Sequence, residues 1–120
     1  MDLKILSLNI CHTLNTSGII ELLKSEKPDI LFLQEVPHTS EELNCAIKKL
    51  EYNAYVSLSD AERPGVGIIF RNYLEISEIH ALQPGPLLKV KMGHFNFINV
   101  YAPASLGQKH ARRTLLKKSL

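Results

Sequence analysis

Apolar positions along the chain show two textures: up to about residue 50, short apolar runs alternate with stretches of helical spacing, and beyond it one short run follows another. Leu3 to Ile10 is dominated by Leu and Ile, which predicts a first buried strand that carries Asn9 to its far end. After a polar, turn-like segment from Cys11 to Ser17, the positions Ile19, Leu22, Leu23 and Glu26 repeat at helical spacing. Thr16 or Ser17 is expected to cap that helix, and Pro28 to stop it. Ile30-Leu31-Phe32-Leu33 is too short for a helix and rich in branched and aromatic side chains, so it predicts a strand buried on both faces, ending in Gln34-Glu35. Strand, helix and strand in so few residues predict a βαβ unit with parallel strands. Asn9 and Glu35 then fall at one edge of a sheet.

A second helix is predicted from Ser40 to Leu50, with Thr39 and Glu42 at capping-box spacing and Leu43, Ile47 and Leu50 on one face. The later runs predict strands over Asn53–Leu58, Gly65–Phe70, Leu74–Leu82, Leu87–Met92 and Phe95–Tyr101. Turns are expected at Ala61–Pro64, Arg71-Asn72, Gln83–Pro86 and Gly93-His94. A βαβ start followed by many strands argues for an α/β fold with a mixed sheet. Ser105 and Gln108 stand at capping-box spacing again and open a helix in which Ala111, Leu115 and Leu116 face a core. The chain stops about three turns into that helix, with no repeat, low-complexity segment or linker before it. One domain whose C-terminal part is missing is the expectation.

Composition narrows the class. The 120 residues allow one domain with a core of its own. No apolar run approaches the ~20 residues of a membrane span, and the N-terminus lacks a signal-peptide pattern, so neither a membrane nor export is expected. Cys11 and Cys45 make neither a zinc site nor a disulfide framework, which fits a reducing compartment. The net charge of +2 conceals an asymmetry: nine basic against twelve acidic residues up to position 104, and five basic residues with no acid after it. That tail, with Lys109, Arg112, Arg113, Lys117 and Lys118, reads either as a nucleic-acid footprint or as the solvated face of an amphipathic helix.

Chemistry-bearing groups sit where apolar strands end: Asn9, Gln34-Glu35, and Asn99 with Tyr101. The carboxyl edge of an α/β sheet is where ligands are held, because the loops diverge there. Glu35 is therefore either a solvated strand-end carboxylate or a ligand for a hard cation, for which one Glu with a nearby Asn is suitable chemistry. Tyr101 either donates a hydrogen bond to a phosphate or packs as an aromatic cap. Asn9 and Asn99 either serve such a site or make local turn and backbone bonds.

Four motifs in order, S-L-N-I at Ser7–Ile10, L-Q-E at Leu33–Glu35, G-V-G-I-I-F at Gly65–Phe70 and I-N-V-Y-A-P-A at Ile98–Ala104, resemble the endonuclease/exonuclease/phosphatase superfamily. Within it the pattern is most similar to the endonuclease domain of non-LTR (LINE-type) retrotransposons. The resemblance implies part of a four-layered α/β sandwich of the DNase I-like kind, with two mixed sheets face to face and helices outside. It also implies phosphodiester hydrolysis with Mg²⁺ or Mn²⁺. Glu35 would be the metal ligand, Asn9 would lie beside metal and phosphate, Tyr101 would contact the scissile phosphate, and Gln34 would support them.

DNA is the implied partner, a reverse transcriptase domain would belong to a full-length form, and the implied place of action is the nucleus. The family's later motifs, a G-D-F-N-like turn and a closing S-D-H, are absent from these residues. Gly93-His94-Phe95-Asn96 looks like the first of them but precedes Y-A-P, and reads as a hairpin turn. None of His12, His38, His80, His94 and His110 follows an Asp, and Ala104 stands where relatives often carry Asn. Catalytic inactivity of this stretch alone is expected, as is aggregation from apolar faces left without partners. Two other functions fit the same residues: a phosphatase-like member acting on small phosphoesters, and a non-catalytic nucleic-acid-binding remnant.

Overall fold

The structure is a computed structural model, described here over residues 2–10, 15–58, 65–82 and 87–100. Strands β1 (Ile5–Asn9), β2 (Ile30–Val36), β3 (Tyr52–Ser57) and β4 (Gly65–Arg71) form a four-stranded sheet in the order β1-β2-β4-β3. The expected βαβ unit is present: β1 and β2 are parallel, joined through helix α1 (Thr16–Glu26), and the other two pairings are antiparallel, so the sheet is mixed. Strands β5 (Glu78–Leu82), β6 (Leu87–Met92) and β7 (Phe95–Val100) form a second sheet, antiparallel throughout.

Two apolar layers hold the elements together. Leu31, Leu33 and Val36 of β2 meet Ile19 and Leu23 of α1 and Leu43 and Ile47 of helix α2 (Ser40–Ile47) on one side of the first sheet. On its other side Ile30 and Phe32 meet Leu88, Val90 and Met92 of β6. Among the described residues, helices, first sheet and second sheet thus stack as three layers. Because β2 lies between both cores, its four leading residues are all buried, as its unbroken apolar run requires.

Local chemistry sets the element ends. Helix α1 is capped by Asn15, whose Oδ1 accepts from Gly18 N at 2.9 Å, one residue earlier than the Thr16 or Ser17 expected. Asn15 leads three adjacent residues that can all cap, and it is the one in extended conformation. The helix ends on Lys27 in the left-handed region (φ 47°), with Pro28 preventing continuation. The α2 capping box is formed as expected, Thr39 Oγ1 accepting from Glu42 N at 3.1 Å and Glu42 Oε1 from Thr39 N at 3.2 Å. Helix α2 is shorter than its apolar spacing suggests and finishes as a 3₁₀ turn, Lys48–Leu50.

Ser40 and Asn44, one helical turn apart, bond the backbone of Val56 and Ala54 through both their N–H and C=O groups at 2.8–3.2 Å. The outer edge of β3 is thereby closed by side chains, as a neighbouring strand would close it. Gly65 is demanded by close approach at the same strand, since a Cβ there would stand 1.8 Å from Ser57 O.

The strand expected over Leu74–Leu82 begins only at Glu78. Here the chain passes from the first sheet to the second, and Leu74 turns back, its N–H bonding Arg71 O at 3.1 Å while its side chain enters the inter-sheet core. Gly93-His94 makes the expected hairpin, with Gly93 at φ 58° in the turn position that favours glycine. The other expected turns at 61–64 and 83–86, and the helix expected after Ser105, lie outside the described residues. Among the described residues β1 and β7 each have a single partner strand, and Ile5, Leu8, Phe95 and Ile98 on them are exposed. No helix among those residues is long and apolar enough to cross a membrane.

Candidate active site at the carboxyl edge of the first sheet

Parallel pairing in register, Asn9 opposite Gln34, brings the ends of β1 and β2 to one edge, and Ile10 N continues the ladder to Gln34 O at 3.1 Å. Strict alternation along β2 would send Glu35 to the same face as Leu31 and Leu33, into the core beneath the helices. Burying a carboxylate there without a partner costs several kcal/mol or more. The strand avoids this with a bulge. Gln34 pairs with Val66 and Val36 with Gly65, so Glu35 is passed over, and Val36 takes the core position in its place.

The backbone accommodates the extra residue by putting Glu35 at φ 55°, in the left-handed region that a non-glycine residue adopts at ~1–2 kcal/mol. Fully burying a valine returns about 1.5–3 kcal/mol. The bulge is therefore the favourable solution for this sequence, and it leaves Glu35 half-buried at the edge where β1 also ends in Asn9.

Beneath the bulge lies a polar network between the sheets. Asn99 of β7 is 4% exposed and reaches across to the first sheet, its Nδ2 donating to Leu33 O at 3.0 Å and to Gly67 O at 2.9 Å. Its Oδ1 accepts from Gln34 Nε2 at 2.7 Å, and the same Gln34 amide donates to Ser7 Oγ at 3.0 Å. Four strands are joined at this point: β1 through Ser7, β2, β4 through Gly67, and β7. The local turn or backbone bond considered for Asn99 is thus replaced by bonds to residues more than thirty positions away. A polar residue inside the apolar run Phe97-Ile98-Asn99-Val100 was the signal available in the sequence.

Of the sequence-predicted site residues, Glu35 and Asn9 come to one edge with Gln34 between the strands, while Tyr101 lies outside the described residues. His38 follows the bulge by three residues, half-buried, with Nδ1 3.9 Å from Glu42 Oε2. His80 faces Glu78 on the outer strand β5, and His94 occupies the turn at the far end of β7 from Asn99. Among the described residues no three His, Cys, Asp or Glu side chains converge. One carboxylate and one amide oxygen fit a hard divalent cation that keeps its other positions for water and phosphate oxygens.

A cleft of about 410 Å³ opens at the opposite end of the sheet, lined by Asp29, Glu51, Arg71, Asn72 and Tyr73. Several of its polar groups are taken up by hydrogen bonds within the fold. The Tyr73 hydroxyl and the Lys4 N–H both donate to Asp29, holding that carboxyl below its ordinary range. Arg71 lies over the Tyr52 ring at 4.1 Å and donates to Leu50 O at 3.2 Å. The buried Tyr52 hydroxyl, its pKa raised by burial, donates to Pro28 O at 2.6 Å. This end closes the sheet.

Fold and geometry together define an α/β sandwich protein in which Glu35 and Asn9 share the carboxyl edge of the first sheet. The Endonuclease/Exonuclease/phosphatase family matches residues 6–110, and the chain belongs to that family, whose members are metal-dependent nucleases, phosphodiesterases and phosphatases. No curated protein matches the chain. Among solved structures it is similar to the 3′ phosphatase NExo from Neisseria bound to product DNA hairpin, with 21% identity and a TM-score of 0.71 over 98% of this chain and 51% of that one. It is also similar to an AP endonuclease from Archaeoglobus fulgidus (23% identity, TM-score 0.69, 97% of this chain and 48% of that one). A third likeness is to a humanized TDP2 from D. rerio (20%, 0.67, 96% and 53%). The chain spans about half the length of these structures, and at such identities the likeness establishes the fold.

Proposed function

We propose that residues 1–120 form the N-terminal portion of one Mg²⁺- or Mn²⁺-dependent phosphodiesterase domain acting on DNA, an endonuclease of the retrotransposon type. The observation that carries the proposal is Glu35, set out of its strand by a bulge and a left-handed backbone beside the end of β1. Strained backbone at a strand end is a feature that clusters at functional sites. The retrotransposon type rests on the four ordered motifs, and DNA as substrate also draws support from the DNA-bound relative of like fold.

In this reading Glu35 holds the cation, with Asn9 beside it oriented toward the phosphate and Tyr101 donating a hydrogen bond at the scissile group. The cation, when bound, stabilises the negative charge that builds on the phosphate during cleavage. The acid/base partner comes from residues outside this stretch.

The test is nicking of supercoiled plasmid with Mg²⁺ by a chain continued to the length of the solved relatives. Glu35→Ala is expected to lower the rate by at least ~10²-fold. Residues 1–120 alone are expected to be inactive, since loss of a general acid/base alone removes ~10²–10⁴-fold. Nicking that survives Glu35→Ala would falsify the assignment, and hydrolysis confined to small phosphoesters would move it to a phosphatase. Salt-sensitive, metal-independent DNA binding without cleavage would mark a binding remnant instead.

A further inference from the structure

We propose that Asn99 is a positioning residue for Glu35: its cross-sheet hydrogen bonds hold the register of the bulge that sets the carboxylate at the sheet edge. The metal-binding part of this inference rests on the function proposed above, while the positional part stands on the geometry alone.

The bulge has a competitor. If β2 slipped by one residue past Gln34, Glu35 would re-enter alternation and Val36 would turn to the other face, because side chains in a strand change face with every residue. Burial of the Glu35 carboxylate opposes that slip, while its backbone favours it, since a glutamate prefers the extended backbone to φ 55°. Bonds to the residues just before the bulge add to that resistance by fixing the register from which it starts, and Asn99 makes them. Its two donated bonds end on Leu33 O and Gly67 O, which belong to directly opposed residues of β2 and β4, the last such pair but one before the irregularity.

Its accepted bond fixes the Gln34 amide, the residue next to Glu35, and Gln34 in turn holds Ser7, two residues before Asn9. A leucine at position 99 would fill the space and leave two carbonyls and an amide without these partners. Asn99 is nine-tenths or more buried and comes from the second sheet, so the brace couples the packing of the two sheets to the placement of the edge carboxylate.

The experiment compares the wild-type chain with Asn99→Leu and Gln34→Ala by two readouts. The first is the Glu35 amide-to-Hα coupling and Cα shift by NMR without metal, which report φ directly. The second is Mn²⁺ affinity by electron paramagnetic resonance. The expected result for Asn99→Leu is a Glu35 backbone shifted toward extended values and a Mn²⁺ affinity ~10–100-fold weaker, the range for losing an outer-sphere partner. Asn99→Leu that keeps both signals overturns the proposal.

If Asn99→Leu does not fold, Gln34→Ala decides on the same two signals. A shift at Glu35 with unchanged melting temperature supports the brace, and no change in either signal overturns it. If the wild type binds no Mn²⁺, the function proposed above has failed at this site, and the Glu35 coupling alone tests the brace.

Discussion

Replacing Glu35 by glycine should leave the protein more stable than replacing it by alanine, while either change removes its candidate chemistry. The perturbation relieves a left-handed backbone that costs an L-residue ~1–2 kcal/mol, at φ 55°. Against this stands the greater freedom of glycine in the unfolded chain, ~0.5–1 kcal/mol. The proper reference is Glu35→Ala, which deletes the same side-chain contacts but keeps the strain. Glu35→Gly is then expected to exceed Glu35→Ala by ~0.5–1 kcal/mol, a rise in melting temperature of about 2–5 °C. Thermal and urea melts of both variants at neutral pH, without divalent ions, measure the difference. Equal stability, or Gly below Ala, would refute the claim that the bulge stores strain at this residue. A site that gives up stability to keep a carboxylate is what selection for function produces.

Other consequences follow from the same geometry. Thr39→Ala should cost ~1 kcal/mol by urea denaturation, since it removes the acceptor for Glu42 N at the start of α2. Gly65→Ala should be far more damaging, a loss of more than ~2 kcal/mol or failure to fold, because its Cβ would meet the Ser57 carbonyl. Asp29 and Glu42 both have carboxyl pKa values below their ordinary ones, Asp29 through the Tyr73 hydroxyl first and Glu42 through the Thr39 N–H first. Their folded pKa lies under the unfolded one, so their contribution is complete above the ordinary carboxylate range and is lost as pH falls through the folded values. Asp29→Asn should accordingly flatten the acid limb of stability as pH falls below the ordinary carboxylate range, and an unchanged limb would contradict the role of that bond. Phe95→Lys should raise solubility without lowering the melting temperature, because Phe95 is 60% exposed on a strand with one described partner.

Much of the first sheet could be read from the chain because β2 is buried on both faces, and only an unbroken apolar run satisfies that position. The parallel β1–β2 pair followed from the short helix between them, and with it the shared edge of Asn9 and Glu35. The bulge was not read, although a trace of it is present: Leu31, Leu33 and Val36 cannot share a face at period two unless one residue is skipped. The usual markers of such a position, Gly or Asn, are missing, and Glu35 stands there instead. For Asn99, a polar strand-end residue, the sequence leaves a site role and local turn or backbone bonds both open, because its partners lie on strands more than thirty residues away in the chain and only sheet stacking brings them near. The late start of β5 has a similar origin, because strand propensity in Leu74–Ser77 says nothing about the chain having to change sheets there.

The central claim is that a divalent cation sits at the carboxyl edge of β1 and β2, and Mn²⁺ titration followed by residue-resolved NMR broadening tests it most directly. Asp29 and Glu51 at the opposite end of the sheet provide an internal control of similar charge. The account predicts that the amides of Asn9, Ile10, Gln34 and Glu35 broaden first, and that Glu35→Ala abolishes the effect. Broadening that begins at Asp29 and Glu51, or that is unchanged in Glu35→Ala, would contradict it.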